Sequence, residues 1–274
     1  MAGRVSAYDK LERAEKHISE FEDARNIFRQ ENADAVQFKG DPKMQKRIYF
    51  LSKNLYVRPD VPLIIGDAIH NLRCGLDHLA HQLMCVGTGQ SGPFGSVSFP
   101  IAEDSVKYKH GPRGRMKGMR KDAIKAIDAL QPYGGGRSEM LWHLHLLNNI
   151  DKHRMLLTAF TSLYGHSVPK SQRVRTEWLF FRNHSKLAPY YGGKIPSLKG
   201  LIVPSEIKIF PLKAGTELLT IPNSEIEVDM NFVFDIAFGK PEVVKGNPVL
   251  VTLRQMHHLI YQIVMTFERD GLLR

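Results

Sequence analysis

The sequence predicts an α+β protein: a helical bundle with an antiparallel β-sheet in the C-terminal half. Three observations carry this. Apolar residues recur at spacings of three and four through most of the first 165 positions, the period of an amphipathic helix. From residue 166 onward, short runs rich in β-branched and aromatic residues alternate with turns of Pro, Gly and Asn. One helical pattern then closes the chain. The expected organisation is a mainly helical region, 1–165, with an early hairpin, and a β-rich region, 166–274, the two forming one integrated domain.

Residues 6–32 read as the first helix. Leu11, Ala14, Ile18, Phe21, Ala24 and Phe28 lie three or four apart with charges between them. Ala35 to Phe38 and Arg47 to Leu51, separated by Gly40-Asp41-Pro42, read as a hairpin able to pair with late strands. Residues 62–86 form a second helix, and 88–98, with three Gly and one Pro, form a loop. Phe99-Pro100-Ile101 is a short anchoring segment, 122–130 a helix ended by Pro132, and 138–164 a long helix. Strands are expected at 174–181, 201–210, 217–221 and 225–238. Asn247-Pro248 opens the last helix, with Val249, Leu253, Met256, Ile260, Ile263 and Phe267 on its inner face.

An apolar content of 43% and a charged content of 24% suit a water-exposed fold with a sizeable core. No apolar run approaches the ~18 residues of a membrane span. The first residues lack the apolar stretch of a secretory signal, so the expected location is the cytoplasm. Cys74 and Cys85 are eleven residues apart on one helix, too far for a disulfide, and neither has a CxxC partner for zinc. The net charge is +10. Lys107, Lys109, Arg113, Arg115, Lys117, Arg120 and Lys121 fall in one stretch without an acid. A second basic stretch, 168–199, includes Arg173 and Arg175 and carries Trp178, Phe180, Phe181, Tyr190 and Tyr191. Basic groups interleaved with aromatics suit a phosphate backbone with stacked bases, so RNA or another nucleic acid is the expected partner. The alternative is two solvated basic surfaces over core aromatics.

The densest chemistry lies at 67–78. At 100° per residue, Asp67, His70, Asn71, Arg73, Cys74, Asp77 and His78 occupy one arc of roughly 160°. Ile69, Leu72, Leu76 and Leu79 take the opposite side. A second cluster, His145, Asn148, Asn149, Lys152 and His153, shares an arc of about 140° on the long helix, with Asp151 and Arg154 among its apolar residues. Facing each other, the two patches form either a structural network, with pairs such as Asp77–Arg154 or Arg73–Asp151, or a site open to solvent.

No HExxH, GxSxG or GxxxxGK[ST] is present, so the common zinc, serine-hydrolase and P-loop motifs are missing. Cys74 is placed four residues from His78, within reach of contact. RNA cleavage by its own 2′-OH needs a base, an acid and a cation, which His and Arg supply without a metal or cofactor.

Arg73-Cys-Gly-Leu-Asp-His78 resembles the Arg-x4–6-His motif of HEPN domains. That family comprises helical bundles, many of them metal-independent endoribonucleases of bacterial toxin and defence systems. The resemblance implies Arg73 and His78 as catalytic residues, and a homodimer whose motif helices meet. Cys74 stands where the family usually carries a polar residue. More widely, 66–79, 99–101, 130–133 and 144–154 are similar to a group of bacterial proteins of no assigned activity that share "GDAIHNLR…LDHL", "FPI", "LQPY" and "LHxLNNxDKHR" segments. The expected function is thus a HEPN-like ribonuclease or RNA-binding protein. His70, Asp77 and His153 join Arg73 and His78 as candidate catalytic residues. The alternatives are a non-enzymatic nucleic-acid- or protein-binding module, and a metal-dependent hydrolase using His70, Asp77, His145 and His153.

Overall fold

The computed structural model describes residues 5–95, 97–153, 159–167, 202–204, 212–226, 230–239 and 241–274. It is α+β, as the periodicities predict. In chain order the elements are α1 (Ser6–Glu31), β1 (Val36–Asp41), β2 (Lys46–Leu51), α2 (Val61–Thr88), α3 (Ser105–His110), α4 (Lys121–Leu130), α5 (Glu139–His153), β3 (Ala159–Ser167), β4 (Ile202–Pro204), β5 (Glu217–Pro222), β6 (Phe232–Phe238) and α6 (Val249–Arg269).

The chain divides into two compact units, neither continuous in sequence. The first holds the chain up to Ala24, Arg58–Ala159 and Phe238–Arg274. Its centre is α2, which packs against α5 and α6. Ile65, Ile69, Leu72, Leu76, Leu79 and Leu83 form one fully buried stripe along α2, each residue contributing roughly 1.5–3 kcal/mol. Leu11, Ala14, Ile18 and Phe21 of α1 and Leu253, Met256, Ile260 and Val264 of α6 belong to the same buried set. Gly89, at φ 68°, ends α2 in the left-handed conformation, and its N–H caps the Cys85 carbonyl.

The second unit comprises Arg25–Val57 and Phe160–Ala237. The early hairpin and a late strand do share one antiparallel sheet, in the order β1-β2-β5. Asp41 makes the hairpin turn, its Oδ1 accepting the backbone N–H groups of Lys43 and Met44 at 3.0 and 3.1 Å. A second sheet has the order β4-β3-β6.

Three expectations need correction. The helix expected over 138–164 stops within the described residues at His153, and Ala159–Ser167 is a strand. Buried Thr161 and Leu163 alternate there with period two, which a wheel drawn through the whole stretch conceals. Among the described residues, the strand expected over 225–238 is Phe232–Phe238, and Asn223–Glu225 is a short 3-10 turn. The last helix is capped at Pro248 instead of Asn247, whose carbonyl accepts the Phe238 N–H. The sequence also hid α3, where the Asp104 side chain accepts the Lys107 N–H at 2.7 Å. The expected strand at 174–181 lies outside the described residues.

Candidate functional site

Arg73 lies on the α2 flank that faces α5, and it is only 6% exposed. Its Nη2 donates to Asp77 Oδ1 and to the Phe99 carbonyl, both at 2.9 Å. Asp77 Oδ1 also accepts the Phe99 N–H at 2.9 Å. One turn of α2 thus satisfies both backbone groups of Phe99 and pins the 99–101 segment to the helix. Burial pulls the guanidinium pKa down, and the Asp77 carboxylate opposes the shift. The Arg73–Asp151 pair does not form. Asp151 instead lies against Gly66 of α2, where an added Cβ would meet its Oδ1 at 2.5 Å. Burial, then the nearby Asp67 carboxylate, raises the Asp151 pKa.

The two polar helices therefore do meet, Gly66 with Asp151 and Arg73 within electrostatic reach of His145. Asn149 Nδ2 donates to His145 Nε2 at 3.0 Å. An amide nitrogen only donates, so Nε2 accepts and Nδ1 carries the imidazole proton. Trp142 stacks on the same ring, with centroids 5.5 Å apart. Arg73 Nη1, His145 Nδ1 and Asn148 Oδ1 are buried and have no hydrogen-bond partner among the described residues.

Burial, then the charge of Arg73, pushes the His145 pKa down to about 4. Acidification consequently protonates the unfolded chain first. The stability tied to neutral His145 is complete above pH 6.5 and is lost as the pH falls toward 4. Thermal melts across this window should show that slope, and His145→Gln should flatten it. Identical slopes in both proteins would show that His145 is not the titrating group.

His78 points elsewhere. Its Nδ1 is hydrogen-bonded to Ser6 Oγ at 2.9 Å, at the start of α1. Burial, then the Lys10 charge, holds its pKa below the usual histidine range. Arg73 and His78 share the predicted polar arc, yet they face different neighbours. His70 Nε2 contacts Cys74 Sγ at 3.4 Å, so the thiol partners His70 and not His78. Asn71 turns back onto the Asp67 carbonyl at 2.9 Å. Asp67 and Lys152 are exposed. His153 ends α5 with its side chain outside the described residues, as is Arg154. Among the described residues, no group of three or more His, Cys, Asp or Glu side chains gathers to hold a metal.

Much of the first basic stretch is neutralised by acids outside it. Arg113 makes a two-oxygen contact with Asp128 at 2.9–3.2 Å, and Lys107 pairs with Glu103. Arg120 pairs with Asp122 and reaches the Gly271 and Arg274 carbonyls. Arg115 donates to Ser98 Oγ at 3.1 Å. Lys109, Arg115, Lys117 and Lys121 present exposed positive charge. Arg173 and Arg175, with the whole second stretch, lie outside the described residues. Sequence reasoning passed over Ser6, Phe99 and Trp142 as site neighbours. Nothing local marks them, since Ser6 is 72 positions from His78 and Phe99 is 26 from Arg73. Among the described residues, no helix is long and apolar enough to cross a membrane. No protein-family model, curated protein or solved structure matches this chain.

Proposed function

We propose that this chain is a nucleic-acid-binding protein, with RNA as its partner, in which the polar seam between α2 and α5 is structural. One observation carries this over cleavage. Arg73 is buried with Nη2 committed to Asp77 and the Phe99 carbonyl, while His78 turns to Ser6. Within one chain the two side chains are thus committed to different neighbours. The net charge of +10 and the exposed Lys109, Arg115, Lys117 and Lys121 support an electrostatic partner.

Fluorescence anisotropy with a labelled single-stranded RNA tests the reading. Binding should weaken steeply between about 50 and 200 mM salt, since each phosphate contact adds about 0.7 to the log–log slope. Reversing Lys109, Lys117 and Lys121 to Glu should lower that slope by about two. No binding at low salt, or a flat salt response, would sink the proposal.

Cleavage is the second reading, and His78 favours it. Its imidazole is neutral near pH 7, partly exposed, and beside a groove lined by Ser6, His81, Cys85 and Arg120. The cation would then come from another side chain or from a second copy in a homodimer. RNA incubated with EDTA and wild type or His78→Ala decides the matter. Fragments that depend on His78 would restore the ribonuclease, and intact RNA throughout would remove it.

A further inference from the structure

The end of α4 carries a feature with no place in the seam. Gln131 ends this helix in the left-handed conformation, at φ 51°, and Pro132 prevents it from continuing. The chain then runs beside the segment that leads into α3. The Ala102 N–H donates to the Pro132 carbonyl at 3.2 Å, and the Gly134 N–H donates to the Glu103 carbonyl at 3.1 Å. Approach is close, since a Cβ on Gly134 would lie 2.4 Å from that Glu103 oxygen. Tyr133 is thereby held against Tyr108 of α3, their ring centroids 5.5 Å apart and their planes inclined by 47°. Both rings line a cavity of about 510 Å³, within the range of small-molecule sites. Lys109, Arg113, Asp128 and Gln131 complete the lining.

The polar groups of this cavity have defined roles. Asp128 Oδ1 accepts the Tyr108 hydroxyl at 2.9 Å, and the Arg113 fork covers both carboxylate oxygens at 2.9–3.2 Å. Arg113 offsets the Asp128 charge through Nε and Nη2, which leaves Nη1 as a donor turned away from that carboxylate. Lys109, exposed and next to Tyr108 on α3, adds a full positive charge. Two cations and one carboxylate give the lining a net charge of one positive unit. The two acids that precede α3 are engaged as well: Glu103 pairs with Lys107, and Asp104 accepts the Lys107 N–H. Gln131 Oε1 accepts the Arg137 N–H at 3.2 Å, so its amide nitrogen is the end that donates.

Paired rings beside two cations and an amide donor select a flat, π-rich ligand that carries acceptors and negative charge. Lys109 repels a cationic ligand, and inorganic phosphate alone would leave the rings unused. We infer that this cavity takes a nucleotide, its base against Tyr133 and its phosphate held by Lys109 and Arg113. The inference rests on the nucleic-acid reading above and gives it a base-contacting site, because Lys109 and Arg113 belong to the basic stretch itself. A free nucleotide and a nucleotide within a strand offer the same chemistry, so the test has two arms.

In one arm, a labelled single-stranded RNA oligonucleotide is titrated with wild type, Tyr133→Ala, Tyr133→Leu, Tyr133→Phe and Lys109→Gln. In the other, adenosine monophosphate is titrated by calorimetry. Tyr133→Ala should weaken RNA binding about 5- to 150-fold, the range for losing one stacked base, and Tyr133→Phe should retain it. Tyr133 is half-buried, so melting temperatures are compared first. If the alanine variant melts early, Tyr133→Leu, which keeps apolar bulk without a ring, gives the reading. Lys109→Gln should lower the salt slope by about 0.7, and an unchanged slope would overturn the phosphate assignment. Unchanged RNA affinity in a folded Tyr133→Ala or Tyr133→Leu protein would overturn the cavity as the base site while leaving nucleic-acid binding in place. Binding of adenosine monophosphate but not RNA, lost in the same variants, would keep the cavity as a nucleotide site and overturn the nucleic-acid reading. Binding of neither would overturn both.

Discussion

Arg73→Ala is expected to lower stability by about 2–4 kcal/mol, the larger of two effects the structure predicts. The substitution removes two charge-assisted hydrogen bonds and leaves the Phe99 carbonyl buried without its donor. Asp77 keeps the Phe99 N–H, and its side chain is 32% exposed, so water recovers part of the lost solvation. That recovery keeps the cost below the full penalty of an orphaned buried charge. The melting temperature should fall by roughly 5–15 °C. Arg73→Lys should lose much of the same stability, because a single ammonium does not reproduce the planar fork that serves a carboxylate and a carbonyl together. A melting temperature unchanged by Arg73→Ala would remove the structural role and favour Arg73 as a group held for a substrate.

Gly87→Ala should also destabilise, and with a sign opposite to that of helix propensity. Gly87 is an exposed position in α2, where alanine ordinarily gains about 1 kcal/mol. Here an added Cβ would lie 2.2 Å from the Gly118 carbonyl oxygen, 2.7 Å from Met119 Cα and 2.8 Å from Arg120 N. All three are backbone atoms, so no rotamer change relieves the clash. Either α2 or the 117–120 segment must move, at about 1–3 kcal/mol. The same segment carries Lys117 and Arg120, so salt-dependent RNA binding should weaken with it. Thermal melts and the anisotropy titration read both effects. A stabilised Gly87→Ala protein would show that this segment does not rest on α2.

These two residues show where sequence reading stopped. The α2 stripe from Ile65 to Leu83 was legible, because a 3.6-residue period dictates which side chains share a face. The same arithmetic placed Arg73 and His78 on one polar arc. That arc is wide enough to serve several neighbours, and packing divides it. Arg73 goes to Phe99 and α5, and His78 goes to Ser6. The basic stretch was legible as charge, but Asp128 and Glu103, which offset Arg113 and Lys107, lie outside it. Tyr133 was legible only as the residue after the proline that ends α4. Its ring partner, Tyr108, lies 25 positions away in a helix the sequence hid.

What the sequence determined by itself is local: the helices α1, α2, α4 and α6, the early hairpin, the α+β class, and the concentration of His, Asp, Asn and Arg on two helices. The tertiary structure alone decided that these helices meet at Gly66 and Asp151, that Arg73 is sealed, and that an aromatic cavity opens at the end of α4. The physical reason is range. Backbone geometry repeats every few residues and imprints its period on the chain. Burial and hydrogen-bond partners are assigned by segments tens to hundreds of residues away, and no local pattern records them.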